Sequence, residues 1–198
     1  MSKKKELKIE LKKENDKRKN SNKIGATFEQ RIQKVLDELR KENVGYIVKI
    51  PTQMKLIRGA GGRIVSAFPV PQEEKGYNCL LDFHGILKSG KTICIEAKSC
   101  ANKTSFPLDN IKPYQLPLLE ELMDYGALGY FIIEMRGVGR TFLFEGYKFI
   151  EYVAGLERKS IPVKDMEEIG IELDPDLKDL KNFIKSLTNR YKQSIIRI

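Results

Sequence analysis

The chain has 198 residues, with 41% hydrophobic and 32% charged residues and a formal net charge of +9. This is an ordinary globular composition, so one domain with a substantial core is expected. No run approaches the roughly 20 apolar residues that a membrane span needs, and the charged N-terminus lacks the apolar stretch of a secretory signal, so a cytoplasmic location is expected.

The charge is uneven. Residues 1–23 hold ten Lys/Arg against four Asp/Glu and read as a flexible basic arm. Residues 24–198 read as a single domain. A basic chain with a basic arm suits a polyanion, nucleic acid before membrane. The three cysteines, Cys79, Cys94 and Cys100, have no zinc-site spacing, and the lone His84 does not complete one.

In chain order, Phe28, Ile32, Val35, Leu36 and Leu39 form one apolar helical stripe. Glu29 sits beside it in the first turn, where a carboxylate also suits the helix dipole. Tyr46 to Ile50 reads as a strand. Two extended arms around Gly59-Ala60-Gly61-Gly62 then predict a hairpin stalk over about 51–71. Lys55, Arg58 and Arg63 make it basic, fit to meet nucleic acid or simply solvated.

The stretch from Cys79 to Gln115 is the most informative. An apolar run, Cys79 to Leu81, ends in Asp82; His84 to Lys91 is turn-rich. A second apolar run, Thr92 to Ala97, carries Glu96 and leads to Lys98. Side chains two apart in a strand share a face, so Glu96 and Lys98 lie together, opposite Ile93, Ile95 and Ala97. If the runs pair, Asp82 comes beside Glu96. Two carboxylates that close repel unless a cation sits between them, and oxygen ligands favour Mg²⁺ or Mn²⁺. Glu-x-Lys itself is weak, since it starts also at Glu6, Glu10, Glu73 and Glu157. A surface hairpin with solvated charges remains the alternative on local pattern.

Beyond it, Asn102 to Asn110 is a polar loop whose Lys103, Thr104 and Ser105 can donate to a phosphate. A helix is expected from about Ile111 to Tyr125, with Gln115 aimed at the site and Pro117 uncomfortable within it. Leu128 to Met135 reads as a central strand and Thr141 to Phe144 as another. Helices follow over Tyr147 to Leu156 and through Leu177, Leu180, Ile184 and Leu187. The order implies an α/β fold, a mixed central sheet flanked by helices.

That order resembles the restriction-endonuclease-like core of the PD-(D/E)xK nucleases. Three blocks sharpen it: Gly25-Ala26-Thr27-Phe28-Glu29, Asp82-Phe83-His84-Gly85, and the run from Glu96-Ala97-Lys98 through Asn102-Lys103-Thr104-Ser105-Phe106-Pro107-Leu108 to Tyr114-Gln115. These resemble the RecU family of Holliday junction resolvases, and the likeness continues past Arg158-Lys159-Ser160-Ile161. It implies a homodimeric, Mg²⁺-dependent endonuclease (Mn²⁺ as substitute) that cuts four-way DNA junctions and meets a RecA-type recombinase. Carried over, Asp82, Glu96 and the Ala97 carbonyl would hold the metal. Lys98 would position the attacking water, Glu29 would be a further acid, and Gln115 would orient phosphate or Lys98. Ile24, His84 and Tyr114 depart from the family pattern without removing a ligand.

Two other functions stay open. One is a junction-binding or recombinase-modulating protein without catalysis. The other is a sequence-specific restriction-type nuclease of the same fold.

Overall fold

The computed structural model describes residues 28–51, 54–69 and 80–195. The expected basic arm, the Gly25-Ala26-Thr27 block, Ile24 and Cys79 lie outside the described residues. Helix α1, residues 28–41, follows the predicted apolar stripe, with Phe28, Ile32, Val35, Leu36 and Leu39 all buried. It stops where Asn43 takes a positive φ of 57° and the Val44 N–H reaches back to the Leu39 carbonyl, a left-handed cap that asparagine tolerates.

The strands are β1 (Gly45–Lys49), β2 (Met54–Arg58), β3 (Ile64–Pro69), β4 (Phe83–Leu87), β5 (Thr92–Cys100), β6 (Ser105–Pro107), β7 (Leu128–Met135), β8 (Arg140–Glu145), β9 (Ser160–Pro162) and β10 (Ile171–Leu173). The later helices are α2 (Gln115–Asp124), α3 (Gly146–Ala154), α4 (Val163–Ile169) and α5 (Lys178–Ile195). Six strands form one sheet in the order β1-β4-β5-β7-β8-β10. Among the described residues β5 and β7 pair in parallel and the other neighbours in this sheet are antiparallel. The mixed α/β architecture is therefore the one expected.

Period-two alternation divides the core between the two faces of this sheet. Ile93, Ile95, Ala97, Tyr130 and Ile132 pack with Leu36 of α1 and Leu180 of α5. Cys94, Phe131, Ile133 and Met135 pack with Leu119 of α2 and Phe149 of α3. Among the described residues seven phenylalanines are fully buried, and Phe131, Phe144 and Phe149 stack or tilt against one another at 4.6–5.0 Å. Burial holds the Cys94 thiol's pKa up to about 12, so it is an inert packing group.

The expected stalk is present as the antiparallel pair β2–β3. Leu56, Ile57, Ile64 and Val65 on it are all exposed. At its tip Gly61 and Gly62 take positive φ, and the Arg58 guanidinium donates to the Gly62 carbonyl at 2.9 Å.

Two boundaries differ from expectation. The strand read before Asp82 instead begins after it, at Phe83, and the turn shrinks to residues 88–91, where Gly90 takes φ +82°. Phe83 and Leu87 alternate inward around His84 and Gly85, and those two turn-forming residue types hid a strand. Gly85 is needed because β1 lies almost on top of it: a Cβ there would meet the Tyr46 oxygen at 2.1 Å. The helix expected from Ile111 begins at Gln115. Pro117 then lies in the first turn, where a missing N–H costs no intrahelical bond.

The clash at Gly85 is with backbone, so no rotamer relieves it. Gly85→Ala should cost at least about 1–3 kcal/mol, read as a lowered midpoint in urea unfolding.

Candidate active site

Strand β5 alternates as predicted. Ile95 and Ala97 point into the α1–α5 side of the core, which sends Glu96 and Lys98 to the opposite face. Glu96 is 1% exposed. Its Oε1 accepts from the Lys98 ammonium at 2.5 Å and from the Gln115 side-chain amide. Its Oε2 lies 3.3 Å from the Asp82 N–H. Asp82 in turn accepts the Ala97 N–H on Oδ2 at 2.9 Å. Asp82, one residue ahead of β4, thus lies beside Glu96 of β5, the two carboxylates linked through the Asp82 and Ala97 N–H groups.

Gln115 arrives from the far side of a crossover. It opens α2, so the positive end of that helix dipole lies at Glu96. Its amide oxygen accepts the Lys112 N–H at 2.8 Å, which fixes the NH₂ group toward the carboxylate. Its side chain is buried.

The electrostatics follow from burial. Desolvation drives the Glu96 pKa from its ordinary 4.5 up to about 8; Lys98 opposes the rise and Asp82 adds to it. A carboxylate so placed takes up either a proton or a cation. Burial likewise lowers the His84 pKa, so its ring is neutral near pH 7.

The donors fit a hard divalent ion. Both side chains offer oxygen, and Lys98 and Gln115 occupy one oxygen of Glu96 while Oε2 meets only a long contact. Among the described residues no group of three or more His, Cys, Asp or Glu side chains gathers. The protein side of such a site is therefore two carboxylates and backbone, which suits an ion that keeps water and takes phosphate oxygens.

Glu29 stands elsewhere. It projects from α1, on the other face of the sheet, and pairs with Lys49. Lys49 lies opposite Phe83 in the ladder, so this pair sits at the sheet end where Asp82 lies. The nearby Gln33 side chain accepts the Lys49 N–H at 2.9 Å and covers part of an edge strand.

Lys103 and Thr104 are exposed and Ser105 is half-buried. Their loop is held firmly: Thr104 O accepts the Val163 N–H at 2.9 Å, and β6 pairs with β9, setting Phe106 opposite Ile161. Lys159, whose carbonyl accepts the Leu108 N–H at 3.0 Å, joins this exposed basic surface. Residue-by-residue reading missed Lys159, because a three-residue strand pair over fifty residues apart leaves no periodic signal. Arg58 and Arg63 stand on the hairpin, apart from the core sheet, with Lys55 opposite Phe68 in its ladder.

A second missed cluster lies across β5 from Lys98. Glu134 accepts from Arg31 at 2.6 Å and from the Ser99 hydroxyl at 2.6 Å, and Arg136 donates to the Ser99 oxygen at 3.0 Å. Glu134 sits in a strand otherwise apolar, and its partners Arg31 and Ser99, both distant in sequence, explain its burial.

A family model, Recombination protein U (RecU), matches residues 23–189. The Holliday junction resolvase RecU of Geobacillus thermodenitrificans is 29% identical over 150 residues, covering 74% of this chain and 73% of its own. That of Geobacillus kaustophilus is 26% identical over 170 residues, covering 84% of each. Among solved structures, Archaeoglobus fulgidus Hjc, a Holliday junction resolvase from an archaeal hyperthermophile, aligns with a TM-score of 0.38 and 18% identity over 72% of this chain and 93% of its own. The blocks at Glu29, Asp82 and Glu96 to Gln115 all fall inside the matched span, and the chain belongs to the RecU, Recombination protein U, family.

Proposed function

We propose that this chain is a structure-specific endonuclease that cleaves four-way DNA junctions by metal-dependent phosphodiester hydrolysis. The observation that carries the reading is a fully buried glutamate, Glu96, held against Asp82, Lys98 and Gln115. The names of the relatives supply the branched substrate.

In this reading Asp82, Glu96 and the Ala97 carbonyl hold Mg²⁺, with Mn²⁺ as a substitute. Such an ion, when bound, would polarise the scissile phosphate and acidify bound water. Lys98, drawn up against Glu96, presents an ammonium to the phosphate and orients the attacking water. Gln115 keeps Glu96 turned and the Lys98 contact short. The positive end of α2 favours the phosphate approaching it. Glu29, paired with Lys49 at the sheet end beside Asp82, is a further acidic residue that would act through water or a second ion.

DNA arms would lie along Lys103, Thr104, Ser105 and the stalk residues Lys55, Arg58 and Arg63. These contacts reach phosphates rather than base edges, which suits recognition of shape over sequence. A homodimer places two such sites about a two-fold axis, matching paired cuts in a symmetric junction. Contact with a RecA-type recombinase rests on the family resemblance alone.

Asp82→Asn should abolish cutting of a labelled mobile junction in Mg²⁺ yet leave its binding in chelator near wild type. Wild-type protein should nick the junction in pairs and spare matched linear duplex. Cutting of linear duplex at one sequence would favour the restriction-type reading; binding without cutting in Mg²⁺ or Mn²⁺ would favour the non-catalytic one.

The second prediction concerns pH. Between the ordinary carboxyl pKa of 4.5 and the raised value of about 8, the metal-free folded chain holds a proton on Glu96 that the unfolded chain has released. Stability from this group is therefore whole below that window and is lost as pH rises through it. In chelator, the wild type should fall in Tm relative to Glu96→Gln as pH is raised from about 5 to about 8. Added Mg²⁺ should restore the wild type, most at the upper end, and leave Glu96→Gln unmoved.

A further inference from the structure

His84 is the chain's only histidine and stands two residues beyond Asp82. On β4 it faces Cys94 of β5, on the same side of the sheet as Glu96. Its Nε2 accepts the Leu81 N–H at 3.1 Å. Leu81 is fully buried and precedes the first residue of β4, so its N–H lies outside the strand ladder. The geometry points to His84 as a positioning residue, an imidazole that holds the backbone bend through which Asp82 is presented beside Glu96. This rests on the proposed reading of Asp82 as a metal ligand.

The bonds around Asp82 divide into two kinds. Two use carboxylate oxygens: Ala97 N–H to Asp82 Oδ2, and Asp82 N–H to Glu96 Oε2. A cation drawing on those oxygens competes with both. Two do not: the Ile50 N–H donates to the Asp82 carbonyl at 2.7 Å, and the Leu81 N–H donates to His84. These last two hold the chain on either side of the Asp82 side chain whatever the carboxylates do. Ile50 fixes the bend to β1, and His84 fixes the residue entering it.

Accepting at Nε2 places the ring proton on Nδ1. It also commits the Nε2 lone pair to Leu81, so His84 acts through Asp82 and not as a ligand. A glutamine carries its amide oxygen about as far from the backbone as Nε2. A leucine fills similar space with no acceptor.

The test uses the full chain with Mn²⁺ alone as the probe. Three readouts are taken: hydrogen exchange of the Leu81 amide, Mn²⁺ affinity by calorimetry, and the ring ¹⁵N spectrum of the single histidine. In His84→Leu the Leu81 amide should exchange faster, and Mn²⁺ should bind about 10-fold more weakly, the usual scale for groups that orient a ligand. His84→Gln should recover both, and the wild-type ring should carry its proton on Nδ1.

Unchanged Leu81 exchange or Mn²⁺ affinity in His84→Leu overturns the proposal. So does a His84→Gln as weak as His84→Leu, or a wild-type ring protonated on Nε2. If His84→Leu does not fold, His84→Gln and the wild-type ring spectrum decide. A wild-type chain that binds no Mn²⁺ overturns the metal reading of Asp82 and Glu96 and this proposal with it. Loss of affinity confined to the variants leaves that reading standing.

Discussion

The constraint on which the structure turns is a carboxylate buried in the middle of a sheet. At 1% exposure Glu96 has no water to stabilise its charge, and desolvating an ion without compensation is among the most costly events in folding. The fold answers with groups from three elements: an ammonium from its own strand, an amide from the start of α2, and a backbone N–H from Asp82. These compensate in part, and the pKa still rises to about 8. In the proposed reading a divalent cation between Glu96 and Asp82 would complete the compensation, and the burial that costs stability would supply affinity for the ion. Such a trade of stability for function is common at active sites.

Holding the site requires β5 to stay straight at its C-terminal end, where Glu96 and Lys98 project. The opposite face of the strand supplies this. Ile95 and Ala97 are anchored in the α1–α5 core. One residue beyond Lys98, Ser99 donates to Glu134, which also takes Arg31, and Arg31 reaches the Pro175 carbonyl at 2.6 Å. This network joins β5, β7, α1 and the segment before α5. Its Arg31–Glu134 pair spans over a hundred residues, so it closes only when the tertiary structure is complete. On the site's own face, α2 approaches closely because Gly129 and Gly146 have no side chains; a Cβ on either would strike Met123 of that helix. Gln115 reaches Glu96 because the rest of its helix sits so near the sheet.

Much of this was legible in the sequence, for a physical reason. Period-two alternation from Ile93 to Lys98 fixes which side chains share a face, and a polar residue on an apolar strand stands out against it. That was enough to place Glu96 with Lys98 and to bring Asp82 beside them. The stripe from Phe28 to Leu39 and the hydrophobic Leu128 to Met135 strand were equally plain. Patterns that depend on partners far along the chain were not. The β6–β9 pair is three residues long on each side and carries Pro107 and Pro162, so neither half reads as a strand. The pairing of Glu29, which the resemblance counts as a further acid, with Lys49 from β1 likewise leaves no local periodic signal. The strand at Phe83 was hidden by His84 and Gly85, two residues that ordinarily mark a turn.

The start of β4 at Phe83 bears on how Asp82 is held. A continuous strand through Asp82 would have fixed its side chain by the pleat alone. Because β4 starts one residue later, Asp82 lies on a bend, and its direction depends on the bonds that hold the bend. Gly85 lets β1 press against β4, which brings Ile50 within reach of the Asp82 carbonyl. The glycine, the histidine and the acid of Asp82-Phe83-His84-Gly85 therefore form one device. Glycine admits the neighbouring strand, the imidazole takes the entering N–H, Phe83 locks the sequel into the core, and the carboxylate between them is left aimed at Glu96. A side chain at position 84 fits such a device when it supplies an acceptor in reach of the Leu81 N–H, as His84 does. What the position demands is a hydrogen-bond geometry, and more than one side chain can satisfy it.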